Sequence, residues 1–212
     1  MSEPTARRVL GSWLEELASD APTPGGGPAA AVVGAAGAAL ISMVGRLTIG
    51  RERFADVEHR MSEIVARADE ERGRFLELAE RDEEAFEGFM AALRMPRDTE
   101  EQRLSRAASM QAASVAAADA PLEIAQRSVG LMELAGEVAA TGNPHAASDG
   151  ACAAACLHAA AHAALASVRI NAASMSDEGA SSRYLALARD LRDRASRLLT
   201  EADDAFAGRL PT

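Results

Sequence analysis

Three polar residues sit among apolar neighbours at helical spacing, and each carries a group able to move a proton or hold a polar ligand. Asp82, in RDEEAFEGFM, shares a 3–4 spaced stripe with Leu78, Ala79, Phe86 and Phe89. A carboxylate on such a seam costs on the order of several kcal/mol unless it is paired. Either an arginine neutralises it, or the helix leaves the core there, or the carboxylate does chemistry that needs a dry setting. Asp149, in GNPHAASDGACAAAC, stands near a helix start, where Ser148 or Asp149 can serve as N-cap. It is also in line with Cys152 and Cys156, which would turn its side chain inward. Asn171, in ASVRINAAS, continues the face of Ala160, Ala163 and Ser167. A buried amide there either orients a ligand or ties two helices together.

Other pairs carry less. His158 and His162 have the i, i+4 spacing that lets two imidazoles share a metal, and Cys152 and Cys156 repeat it. Neither pair has further matching ligands, so no metal is expected. The glycines Gly25, Gly26 and Gly27 are not followed by Gly-Lys-Ser/Thr, which excludes a phosphate loop of the nucleotide-hydrolase kind. At a helix N-terminus their N–H groups can still hold a carboxylate or carbonyl.

Helices must position all of these residues, because nearly every segment has helical rather than alternating periodicity. The pattern predicts helices over Thr5–Ala18, with Val9, Trp13 and Leu17 on one face, and over Pro28–Leu47, with Pro28 in the first turn. A long helix follows from Ala55 to Leu93, its stripe running through Val57, Met61, Ile64, Ala68, Phe75, Leu78, Ala79, Phe86, Phe89 and Leu93. Thr99 and Gln102 form a capping box for a helix reaching Asp119, and Pro121 is expected to open a separate helix ending near ATGNP. The last two helices span Ser148–Ser174 and Gly179–Gly208. The stretch after Asp20 carries no charge until Arg46 and is long enough to raise the question of a membrane. Its Ala and Gly partition weakly into hydrocarbon and no second span is expected, so it reads as a tightly packed core helix. The fold class is all-α, a single-domain helical bundle of long Ala-rich helices over residues 1–212.

Hydrophobic residues make up 48% of the 212 but aromatics only 3%, so small side chains must fill the core through many close contacts, and an oligomer interface would help. The formal net charge of -10, with every basic side chain an arginine, argues against nucleic acid or an acidic membrane as partner. The N-terminus shows no long apolar core behind its arginines, so no signal peptide is expected, and two cysteines suit a reduced, cytoplasmic chain.

The segments SDAPTPGGGPAAA, MVGRLTIG, RDEEAFEGFM, LRMPRDTEE, APLEIA, GNPHAASDGACAAA and VRINAASMSDE occur in order over nearly the whole chain. Together they resemble the cyclodeaminase/cyclohydrolase family: formiminotetrahydrofolate cyclodeaminase and the bacterial methenyltetrahydrofolate cyclohydrolases. The resemblance implies an all-helical homodimer and a tetrahydrofolate one-carbon substrate, with no tightly bound cofactor. Two reactions fit: interconversion of methenyltetrahydrofolate with 10-formyltetrahydrofolate, or ring closure of 5-formiminotetrahydrofolate with loss of ammonia. It implies Asp82 and Asp149 as proton acceptor and pterin-orienting group in either order, with Ser148 and Asn171 holding substrate. Arg46, Arg51 and Arg53 become candidates for the folate glutamate tail against the alternative of solvated surface charge, and Gly25–Gly27 becomes a site wall without side chains. Pro28 stands where the family usually has Ser, and Ser167 where Asn is common. A length of 212 residues leaves no room for a transferase domain, which tilts the expectation toward the cyclohydrolase reaction.

Overall fold

The computed structural model describes residues 4–210, all-α among those residues, so the first three and last two residues of the expected 1–212 domain lie outside it. Six α-helices follow one another: α1 (Leu10–Leu17), α2 (Gly26–Thr48), α3 (Glu58–Leu93), α4 (Glu100–Thr141), α5 (Ala147–Ala173) and α6 (Glu178–Ala207). Short 3₁₀ turns precede α1, α3 and α5 at Thr5–Arg7, Glu52–Val57 and Pro144–Ala146. The expected first helix is therefore interrupted at Arg8 and Val9, and the long helix starts three residues later than expected. Trp13 is buried as its place on the apolar face requires, whereas Val9 is 71% exposed.

The helix expected to begin at Pro121 does not exist as a separate element. Pro121 lies inside α4, which runs unbroken for 42 residues from the Thr99–Gln102 capping box. Proline removes the N–H that would bond the carbonyl four residues back, that of Ala117. The side-chain amide of Asn171, on α5, donates to that same Ala117 oxygen at 2.5 Å. The gap in the ladder is closed from a neighbouring helix, and α4 continues.

The core is built as the composition requires, from alanine with a few large side chains such as Phe75, Ile41, Met61 and Leu157. α2 packs on α3 and α5, and α4 packs on α5, α3 and α6. Gly150 shows how close the backbones come: a Cβ there would lie 2.8–2.9 Å from the Ala139 backbone and Cβ. On α3 the stripe through Ala68 and Phe75 passes over Glu71, whose carboxylate is buried and held by Arg127 at 2.8 Å and by Arg67 at 2.5 Å. The far end of the stripe turns by one position, burying Ala92 and leaving Leu93 44% exposed.

The expectation of a single membrane-length apolar helix is corrected. Both Gly26–Thr48 and Pro144–Ala173 are long and apolar enough to cross a membrane by length and composition alone. Alanine-rich α5 meets that test because alanine counts as apolar at every turn, while its buried face is spent on α4 and α2.

Candidate functional site

α2 and α5 run antiparallel, so the N-terminal end of α2 lies beside the C-terminal end of α5. There a cleft of about 250 Å³ is lined by Thr23 and Gly25–Gly27 from the Pro/Gly loop, Asp82, Phe86 and Phe89 from α3, Ala117 from α4, and Ser167, Ile170 and Asn171 from α5. The three α3 residues are spaced i, i+4, i+7 and those of α5 i, i+3, i+4, so each helix offers one face. Asp82, Asn171 and the three glycines, named from separate stretches of sequence, share this one cleft.

Gly27 makes the arrangement possible. A Cβ at that position would overlap the Asp82 carboxyl group, so only glycine lets the carboxylate rest against the first turn of α2. The N–H groups of that turn have no intrahelical partners and carry the positive end of the helix dipole. Even so, Asp82 accepts no hydrogen bond from the described residues, and no arginine pairs with it. Burial, followed by the nearby negative charge of Glu83, pushes its carboxyl up to about 6. A carboxylate with that value changes protonation state near neutral pH, which suits a general base or acid. Phe86 and Phe89, counted in the sequence only as core, are half-buried walls of the cleft and offer flat apolar surface to a planar ring. Their i+4 and i+7 offset from Asp82 was the available signal.

Asn171 lines the cleft while its amide is occupied with the Ala117 carbonyl. Replacing it by alanine is expected to cost about 1–3 kcal/mol, the price of a partly buried carbonyl left unpaired. In a Pro121→Ala background the restored N–H can bond Ala117, and the same replacement should become nearly neutral. Urea denaturation of the four proteins of this double-mutant cycle checks it.

The other expected site residues lie elsewhere in the chain. Asp149 is in the first turn of α5, 18 residues before Ser167, or about 27 Å away along the helix. Neither it nor the exposed Ser148 caps the helix: the N-cap position is Ala146, and the Asn143 side chain accepts from the His145 N–H in the turn before it. Buried Asn143 also donates through its amide to the Leu47 carbonyl, and the Thr48 hydroxyl accepts its N–H, which fixes this end of α5 to the C-terminal end of α2. Arg53 reaches the Asn143 side-chain oxygen at 3.5 Å and lies over the Phe54 ring, 4.6 Å from its centroid. Arg51 is exposed beside it. Arg46, nearly at the end of α2, is engaged by Asp69. The structure thus divides the expected residues between two ends of one helix pair.

A larger groove of about 610 Å³ lies between α3 and α4, but its charges satisfy one another: Glu123 binds Arg74, Arg81 and Arg127, and Glu71 binds Arg67 and Arg127. Mutual pairing leaves that groove little to offer a ligand, whereas the smaller cleft holds an uncompensated acid. Among the described residues no three His, Cys, Asp or Glu side chains converge as metal ligands. His158 and His162 stack with ring centroids 6.2 Å apart, and both cysteines are free thiols.

The family model described as Formiminotransferase-cyclodeaminase matches residues 9–190. A protein named methenyltetrahydrofolate cyclohydrolase from Methylorubrum extorquens is 37% identical over 80% of this chain and 81% of its own length. The formimidoyltransferase-cyclodeaminase of Sus scrofa is 33% identical over 92% of this chain, which spans about a third (35%) of that longer protein. The crystal structure of formiminotetrahydrofolate cyclodeaminase from Thermotoga maritima superposes with a TM-score of 0.87 at 30% identity, covering 96% of this chain and 98% of that one. With the family match spanning most of the chain, and relatives above 30% identity along it, the chain belongs to the formiminotransferase-cyclodeaminase family.

Proposed function

We propose that this chain is a methenyltetrahydrofolate cyclohydrolase, acting as a cytoplasmic homodimer with the folate itself as its one-carbon carrier. The observation that carries the reading is Asp82, a desolvated, unpaired carboxylate poised to exchange a proton near neutral pH in a cleft walled by two phenylalanines and a glycine turn. The 37% identity to a protein of that name supports it.

In this reaction water adds to the carbon bridging N5 and N10, and its proton passes to Asp82. The hydroxyl of the resulting carbinol then gives up its proton to solvent as its C–O bond becomes a carbonyl, the C–N5 bond breaks, N5 takes the proton held by Asp82, and the formyl group remains on N10. A carboxylate next to the cationic bridge also favours binding of the substrate. Phe86 and Phe89 offer stacking surface to the pterin, and Ser167 can donate or accept at its edge.

The homodimer part of the reading rests on an uncovered apolar face. Ala29, Val33, Ala36, Leu40, Met43 and Leu47 follow each other at 3–4 spacing along the outer side of α2, with Val33, Met43 and Leu47 each near 38% exposed. The exposed side of α5 next to it continues with Cys152, Ala155, Ala159 and Ala166. Seams of this spacing suit helix against helix. A two-fold axis across the middle of α2 would set the two copies antiparallel, carrying the partner's Asp149 and the partner's Arg51 toward this subunit's cleft. The free thiols of Cys152 and Cys156 are in keeping with a reducing compartment.

The deciding assay follows the loss of methenyltetrahydrofolate absorbance with purified protein against an enzyme-free blank, since the substrate also hydrolyses spontaneously. Acceleration well above the blank is expected. The close superposition on the Thermotoga cyclodeaminase favours one second reading, ring closure of 5-formiminotetrahydrofolate, which the same protein would reveal by release of ammonia.

A further inference from the structure

Glu83 follows Asp82 on α3 but is not a wall of the cleft. One of its carboxylate oxygens is cut off from solvent and accepts no hydrogen bond among the described residues. Burial pushes this carboxyl up, as do Glu80 and Glu87 on the same helix, and the one compensating charge is Arg8. The Arg8 guanidinium lies 3.7 Å from that oxygen and is itself only 11% exposed, paired also with Glu16 of α1. The segment that carries Arg8 is fastened to α3 at a second point, where the Thr5 N–H donates to Glu80 at 2.8 Å. Both Thr5 and Arg8 precede residue 9, where the family match begins. From the other elements lining the cleft around Asp82 come Pro22, Thr23 and the glycine turn at the start of α2, Ala117 of α4, and Ser167, Ile170 and Asn171 of α5, none of them charged.

Two adjacent buried carboxylates repel, and a guanidinium brought in by a separate segment changes how strongly. We propose that Arg8 is a positioning residue for the site: acting through Glu83, the segment before α1 sets the pH at which Asp82 takes up its proton. The proposal rests on Asp82 being the proton acceptor of the reaction above.

The test is the pH profile of kcat/KM for methenyltetrahydrofolate hydrolysis, together with a ¹³C carboxyl NMR titration of Asp82, its signal identified by loss in Asp82→Asn. Glu83→Gln removes the like charge and should move the acid limb and the NMR midpoint down by about half a pH unit or more. Arg8→Gln removes the one charge that favours ionised Glu83, so Glu83 holds its proton to higher pH, repels Asp82 less, and both should move down toward the Glu83→Gln values. Arg8→Lys should stay near the parent. The double variant should titrate with Glu83→Gln, because Arg8 acts through Glu83. An unmoved or raised midpoint in Arg8→Gln, or strictly additive shifts in the double, overturns the proposal. If the parent protein does not hydrolyse the substrate, the proposed reaction fails, while the NMR midpoints still decide whether Arg8 and Glu83 govern Asp82.

Discussion

Asp82→Asn is expected to lower kcat/KM for methenyltetrahydrofolate hydrolysis by about 10²–10⁴-fold, the range a positioned general base contributes. The same substitution should raise thermal stability at pH 7. In the folded protein the carboxyl is pushed up to about 6 from its ordinary 3.8, chiefly by burial. A group raised in this way favours the fold most below its unfolded value and loses that contribution as pH rises through the folded one. Above about pH 6 the ionised Asp82 therefore opposes folding, by no more than about 3 kcal/mol. Asparagine has nearly the same shape, carries no charge, and can still rest against Gly27. Its stabilisation should be present at pH 7 and absent below about pH 4, a pattern that calorimetry across pH can read. Activity lost together with stability gained would separate a chemical role for Asp82 from damage to the fold. In the parent enzyme, turnover should fall on the acid side with a midpoint near 6, where the base becomes protonated.

Mixing Asp82→Asn with Asp149→Asn is expected to restore activity that neither variant has alone. Within one chain Asp149 stands at the start of α5 and Asp82, on α3, lies in the cleft beside the other end of α5, too far apart to act on one substrate carbon. If an antiparallel dimer builds each site from Asp82 of one copy and the partner's Asp149, a mixed dimer has one site with both changes and one with neither. Random exchange at equal concentrations makes half the dimers mixed, so about a quarter of parental turnover should return. The measurement requires unfolding and refolding the variants together, with separately refolded proteins as reference. No recovery, with each variant folded and dimeric, would place Asp149 outside the chemistry or the pairing in another geometry.

The helical class and the helix order could be read from periodicity because each helix buries one face, and of the cleft's residues Asp82 and Asn171 stood out as polar groups on those faces. Three things could not be read. Pro121 looks like a helix start when only α4's own sequence is considered; the donor that lets the helix continue, Asn171, is 50 residues away on α5. Asn171 also joined the two alternatives open for it, since its amide ties α4 to α5 while the residue lines the cleft. Likewise, Asp149, Ser148, Arg51 and Arg53 were grouped with Asp82 by the family resemblance, although sequence gives position along a helix and not which ends of antiparallel helices meet. Glu71 escaped notice because its partner Arg127 lies on α4, and nothing near it in sequence marks the pairing.

A core of alanines closed around glycines also inverts the usual map of mutational tolerance. In cores filled by leucine and phenylalanine the damaging changes are those that remove atoms and leave holes. Here most buried positions have a single methyl to lose, while added carbon has nowhere to go: at Gly150 it meets backbone, and at Gly27 it displaces Asp82. Sequence drift in such a protein is confined from above, by steric ceiling, so its interior can change composition only by exchanging small residues for one another.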